Sequence, residues 1–182
     1  LGTGPGQPAT LISQALPNAK VLATDSQEAM IEKAKQRAKF QKNLDFAVVS
    51  AEDLTRFASS SFDAVTMSYV LMFVKDRVRS LKEIGRVLND GGRAYVSVWK
   101  ALPMMSLSLA AFKVAFGETL TASRLAVNPL ALDEDNAVEL FVQATEGLLT
   151  IENTEVLEYP MKLGTEAEAC EAVMILVGSQ IQ

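Results

Sequence analysis

Histidine is absent from the 182 residues, and cysteine and tryptophan occur once each, as Cys170 and Trp99. Without histidine the commonest general base is missing. A single thiol excludes an internal disulfide and a cysteine zinc cluster, and with no imidazole the common transition-metal sites also lack ligands, so no bound metal is expected. There is no long basic run and the net charge is −5, which argues against a large nucleic-acid footprint. The longest apolar stretches fall short of the roughly 20 residues that cross a bilayer. Apolar residues are abundant at 49%, enough for the core of one domain. These features point to a small-molecule partner. A cytoplasmic location is expected, with an N-terminal targeting segment left open.

The opening residues Leu1-Gly2-Thr3-Gly4-Pro5-Gly6 place glycine at three alternate positions directly before a helix-like segment. Glycine adopts positive φ freely and lets a ligand approach closer than a Cβ allows. Pro8 suits the first turn of the helix that follows, whose free N–H groups favour negative charge. A glycine-rich turn in an unrelated loop is the alternative. The dinucleotide fingerprint Gly-x-Gly-x-x-Gly would need a third glycine at position 7, which is Gln7. A strand that aims such a loop should precede it, so the chain reads as a fragment lacking that strand.

Lys20 to Thr24 is a short apolar run after a Pro17-Asn18 turn, read as a strand with Asp25 at its carboxyl end. In nucleotide-binding α/β folds an acid about 20 residues past the glycines accepts the ribose hydroxyls. The other reading makes Asp25 or Ser26 the cap of the helix over Gln27 to Lys39, whose expected inner stripe is Ala29, Met30, Ala34 and Ala38. Strands follow at Phe46 to Val49, Phe62 to Ser68 and Arg93 to Trp99. A helix over Asp76 to Leu88 is expected to bury Val78, Leu81, Ile84, Gly85 and Leu88, and to stop at the Gly91-Gly92 turn. The alternation over residues 1 to 99 predicts an α/β fold with a doubly wound, mostly parallel sheet. Farther on, helices are expected over Met104 to Phe116 and Glu134 to Thr145, a strand over Ile151 to Tyr159, and a last helix opened by the Thr165 to Glu168 capping box.

The glycine run, the Ser50-Ala51-Glu52-Asp53 segment, Ser61-Phe62-Asp63-Ala64-Val65, the Ser68 to Leu71 stretch and the Leu88 to Gly92 turn come in an order that resembles the class I S-adenosylmethionine (SAM) dependent methyltransferases, particularly those acting on small molecules. The resemblance implies a Rossmann-like SAM-binding core over 1–99, and helical cap segments with the remainder of the same domain over 100–182. It also implies that the family's last strand lies outside the chain. Cofactor contacts are implied for Gly2, Thr3, Gly4, Gly6, Asp25, Ser26, Met30, Ser50, Ala51, Glu52, Ser68 and Tyr69. Two departures stand out: Ser50 occupies the position of an acid or amide, and Met72 that of a frequent histidine.

On this reading the product is S-adenosylhomocysteine and the acceptor is small and lipophilic, such as a quinone precursor. No general base is assigned, although Tyr69, Lys100 and Glu118 carry suitable groups. The alternatives are a methyltransferase-like binding module without catalysis and, less in keeping with Gln7, a nicotinamide-dependent oxidoreductase.

Overall fold

The structure, a computed structural model, describes residues 1–99 and 134–158. The expected helices over Met104–Phe116 and from Thr165, and the residues Lys100, Glu118, Tyr159 and Cys170, lie outside the described residues. In chain order the elements are α1 (Gln7–Ala15), β1 (Val21–Asp25), α2 (Glu28–Arg37), β2 (Leu44–Val48), β3 (Phe62–Ser68), a 3-10 turn (Leu71–Phe73), α3 (Arg77–Val87), β4 (Leu88–Ser97) and α4 (Glu134–Thr145).

The strands form two parallel ladders, β1 with β2 and β3 with β4. Parallel pairing needs a crossover, and α2 and α3 supply one for each pair. Leu1 to Thr3 bridges the ladders. The Leu1 nitrogen donates to the Thr66 carbonyl at 2.6 Å and the Thr3 N–H donates to the Thr24 carbonyl at 2.8 Å. The glycine loop is thereby carried between the carboxyl ends of β1 and β3. The architecture is α/β with parallel strands, as expected.

A larger core joins Val65 and Met67 of β3 to Leu81, Ile84 and Val87 of α3 and to Leu71 and Met72 of the 3-10 turn, all buried. Ala144, Leu140 and Phe141 of α4 pack on the same cluster. A smaller cluster of Ala9, Ala23, Ala38 and Leu44 seats α1 and α2 on the first ladder. Fully burying one such leucine or isoleucine contributes about 1.5–3 kcal/mol. Asn43, just before β2, reaches across to the carbonyls of Ser13, Leu16 and Ala19 at 3.0–3.1 Å, tying the last turn of α1 and the loop after it to the first ladder.

Several expectations need correction. Helix α2 buries Ile31 and Ala34, not Ala29, which is exposed, and Met30 is half-buried. Ala34 and Ala38 are buried as expected, and Ile31, three residues before Ala34, completes the stripe in place of Ala29 because it supplies far more buried area than an alanine. Helix α3 buries Ser80 and Val87 beside Leu81 and Ile84, and leaves Val78 41% exposed. It ends at Leu88 in extended conformation, not at a left-handed glycine. Gly91, at φ 76°, lies instead in a register shift where Phe62 pairs with Leu88 but Ala64 pairs with Arg93. The extra residues bulge, and Asn89 Nδ2 donates to Asp63 Oδ1 at 2.7 Å to tie them down. Residues 151–158 contain no strand, although β-branched residues favoured one. Isolated extended segments require a ladder partner, and none pairs with them among the described residues.

One polar clamp holds the connection between β2 and β3. Arg86 on α3 donates to both Glu83 carboxylate oxygens, at 2.6 and 2.9 Å, and to the carbonyls of Leu54 and Phe57 at 2.8 and 2.9 Å. Glu83 in turn accepts from the Leu54 N–H at 2.9 Å. The Arg86 hydrogen bonds hold the Glu83 carboxyl below its ordinary range, against the opposing effect of burial.

Candidate cofactor and acceptor site

The three loop glycines all have positive φ, at 62°, 54° and 94° for Gly2, Gly4 and Gly6. Their surroundings separate their roles. A Cβ on Gly2 would lie 2.3 Å from Val70 Cγ2, and one on Gly6 would lie 2.7 Å from Ala34 Cβ and 2.9 Å from its Cα. Those two glycines admit close packing of the chain against itself. A Cβ on Gly4 would meet nothing within 4 Å. Gly4 therefore faces open space, at the tip of the loop and before the N-terminus of α1.

Asp25, 9% exposed at the carboxyl end of β1, accepts from the Gly4 N–H through Oδ2 at 2.8 Å and from the Gln27 N–H through Oδ1 at 2.9 Å. It fixes the loop tip and the turn into α2 together. Asp25 and Ser26 do not cap that helix: Gln27 is its N-cap, without a side-chain hydrogen bond. Each Asp25 oxygen accepts one bond here and retains a lone pair for a second. Thr3 is buried, and its Oγ1 has no hydrogen-bond partner among the described residues. Ser26 is exposed at the same edge and Met30 half-buried on α2.

Past β2, the Val49 N–H donates to the Asp25 carbonyl at 2.9 Å, which draws Ser50 toward the carboxyl edge of β1. Ser50 Oγ accepts from the Glu52 N–H at 3.2 Å, and Glu52 Oε1 accepts from the Asp76 N–H at 2.7 Å. Both side chains thus brace the loop, while Ala51 packs against the core. Past β3, Ser68 Oγ lies 3.2 Å from Ser97 Oγ, and Tyr69 adopts φ 55°, an uncommon conformation for a bulky residue. The structure brings Gly4, Asp25, Ser68 and Tyr69 to one edge, with Val70 joining the last two to the loop.

Sequence reasoning missed Ser97, Trp99 and Val70. The Trp99 indole stacks on the Tyr69 ring at 4.0 Å and 17°, and Ser97 receives the Tyr69 N–H. That Trp99 is the chain's single tryptophan, two residues past Ser97 at the end of the strand expected over Arg93 to Trp99, was the available signal. A cavity of about 40 Å³ lies beneath Leu1 to Thr3, lined by Ile12, Leu22 and Thr66 among others. It is far smaller than the roughly 300–1,000 Å³ of a ligand pocket, whereas a second cavity of about 410 Å³ lies against α1, lined by Gln7, Thr10, Leu11, Gln14 and Arg37.

A glycine loop, an acid after the next strand and parallel ladders crossed by helices are the features of this edge, and comparison with known proteins shows the family to which they belong. Residues 1–96 match the methyltransferase domain family, more than half of the chain, and the protein belongs to that family. The chain is 41% identical over 93 residues to the ubiquinone/menaquinone biosynthesis C-methyltransferase of Desulfotalea psychrophila, covering 51% of this chain and 37% of that protein. It is 38% identical over 102 residues to the demethylmenaquinone methyltransferase of Lactococcus lactis, covering 55% of this chain and 40% of that one. The chain thus spans about two fifths of the length of these curated relatives. Among solved structures, the YcgJ protein of Bacillus subtilis superposes with a TM-score of 0.58 at 22% identity, over 79% of this chain and 58% of that one, which shows the shared fold. No helix among the described residues is long and apolar enough to cross a membrane.

Proposed function

We propose that the protein binds SAM at this edge and transfers its methyl group to a small, lipophilic, quinone-type acceptor. The observation that carries the reading is Gly4: positive φ, open space where a Cβ would stand, and an N–H fixed by a buried carboxylate. The relatives' names, which specify quinone C-methylation, support the acceptor class.

When bound, SAM supplies a methyl group on a positively charged sulfur, so departure of the thioether needs little help. The chain's task is alignment and exclusion of water, which can lower a barrier by about 7–11 kcal/mol. Gly4 and its neighbours admit the methionine portion against backbone. Asp25 accepts ribose hydroxyls on its remaining lone pairs, and the Ser50 to Glu52 backbone borders the adenine. Ser68 and Tyr69 border the acceptor side. A hydroquinone acceptor is already electron-rich at its ring carbons. On such a ring SAM would supply the methyl group with the thioether as leaving group, and restoring the aromatic ring would release one ring proton to a base that none of the assigned residues supplies.

Calorimetric titration of SAM into the chain and into Asp25→Ala tests this. Losing a charge-assisted acceptor pair costs about 1.5–3 kcal/mol, a weakening of tenfold or more. Binding of SAM that Asp25→Ala leaves unchanged, or heat from NAD and none from SAM, refutes the assignment.

A further inference from the structure

Tyr69 and Trp99 form a stacked pair in which the indole also packs against the larger core while the tyrosine remains partly exposed. Both rings leave the sheet just past the last pair of the β3–β4 ladder, Ser68 with Ser97, on the edge that carries the glycine loop. The Tyr69 N–H donates to the Ser97 carbonyl at 3.0 Å and contacts Ser97 Oγ at 3.2 Å, holding the residue at φ 55°. Such a conformation is strained in a non-glycine residue and persists only where its surroundings enforce it. Its effect is to turn the tyrosine ring onto the indole while 37% of the residue stays exposed. Val70, the next residue, packs on Gly2 and fixes the pair's distance from the loop.

We propose that the Tyr69–Trp99 pair is the platform that receives the planar ring of the acceptor, with Ser97 as the positioning residue that fixes the tyrosine. This inference rests on the methyl-transfer reading and adds to it the residues that select a flat aromatic acceptor over an aliphatic one. Two rings already stacked offer a flat, preorganised surface with little side-chain freedom left to lose, and offset or edge contacts with a third ring add attraction beyond area burial.

Trp99 is the only tryptophan, so its emission reports on this place alone. The probe is 2,3-dimethyl-1,4-naphthoquinone, whose substituted ring carbons resist addition of the Cys170 thiol. It is titrated into the chain in saturating S-adenosylhomocysteine, with cofactor binding measured separately by calorimetry. The expected result is saturable quenching, weakened about tenfold in Tyr69→Gly and kept in Tyr69→Phe. Glycine suits the φ at position 69; Tyr69→Asn, which also tolerates that region, serves as the second variant if glycine loosens the fold.

Quenching that stays linear with the slope of free N-acetyltryptophanamide, or that is equal in chain and Tyr69→Gly, overturns the platform while leaving cofactor binding and the methyl-transfer reading intact. Absence of any SAM or S-adenosylhomocysteine heat refutes the methyl-transfer reading itself. Tyr69-dependent saturation in that case still supports the platform, now as a ring-binding site without transfer.

Discussion

Alanine at each of the three loop glycines should separate packing from ligand contact. At Gly4 the substitution meets no atom within 4 Å, so its cost is the left-handed conformation alone, about 1–2 kcal/mol. At Gly2 the new Cβ would lie 2.3 and 2.8 Å from the two Val70 methyls, adding overpacking of about 1–3 kcal/mol to that strain. At Gly6 the obstruction includes the Ala34 Cα, backbone that cannot rotate away, so this variant should lose the most. Urea unfolding followed by circular dichroism measures all three, read as shifts in midpoint at constant slope. The order expected is Gly6→Ala, then Gly2→Ala, then Gly4→Ala, whereas Gly4→Ala, stable as it is, should weaken SAM most per unit of stability lost. Val70→Ala removes both clashing methyls, so it should recover part of the Gly2→Ala loss, with a coupling of about 0.5–3 kcal/mol in a double-mutant cycle. Strict additivity of Gly2→Ala and Val70→Ala would refute the packing account of Gly2. A Gly4→Ala as unstable as Gly6→Ala would refute the assignment of Gly4 to the ligand side.

Other outcomes follow from the same geometry. Glu83 titrates below its ordinary value in the folded chain, so its ionised form contributes stability above about pH 4.5 that fades as pH falls through the lowered folded value; Glu83→Gln should flatten that acid limb in urea midpoints taken from pH 6 to 3, and an unchanged limb would contradict the clamp. Arg86→Ala removes the donors to two carbonyls and one carboxylate and should destabilise by about 2–3 kcal/mol, more than Arg93→Ala, whose contact with Glu152 is exposed at 3.4 Å. Asp76 caps α3 by accepting from the Arg79 N–H at 2.9 Å, so Asp76→Ala should cost about 1 kcal/mol and Asp76→Asn much less; equal losses would show that the hydrogen bond is not the cause.

Local chemistry was legible wherever one residue type served a single need. The glycine run, the acid after Thr24, the Phe62–Ser68 strand and the Glu134–Thr145 helix could be placed from composition and spacing because their turn residues and apolar periodicity point one way. The faces of α2 and α3 were legible only in part. Which stripe of a short helix turns inward depends on what stands opposite, and Ile31 and Val87 found partners that Ala29 and Val78 did not.

By itself the sequence determined the class of fold, the positive-φ glycine loop and the acid that follows it, since a backbone that must adopt positive φ and a carboxylate some twenty residues on are requirements written in residue type. Tertiary structure alone decided which loop glycine faces open space and which two face the chain, because that turns on Val70 and Ala34 arriving from distant segments. It also decided that Tyr69 meets Trp99: residues thirty positions apart share an edge only because parallel pairing through α3 ends β3 and β4 at the same level.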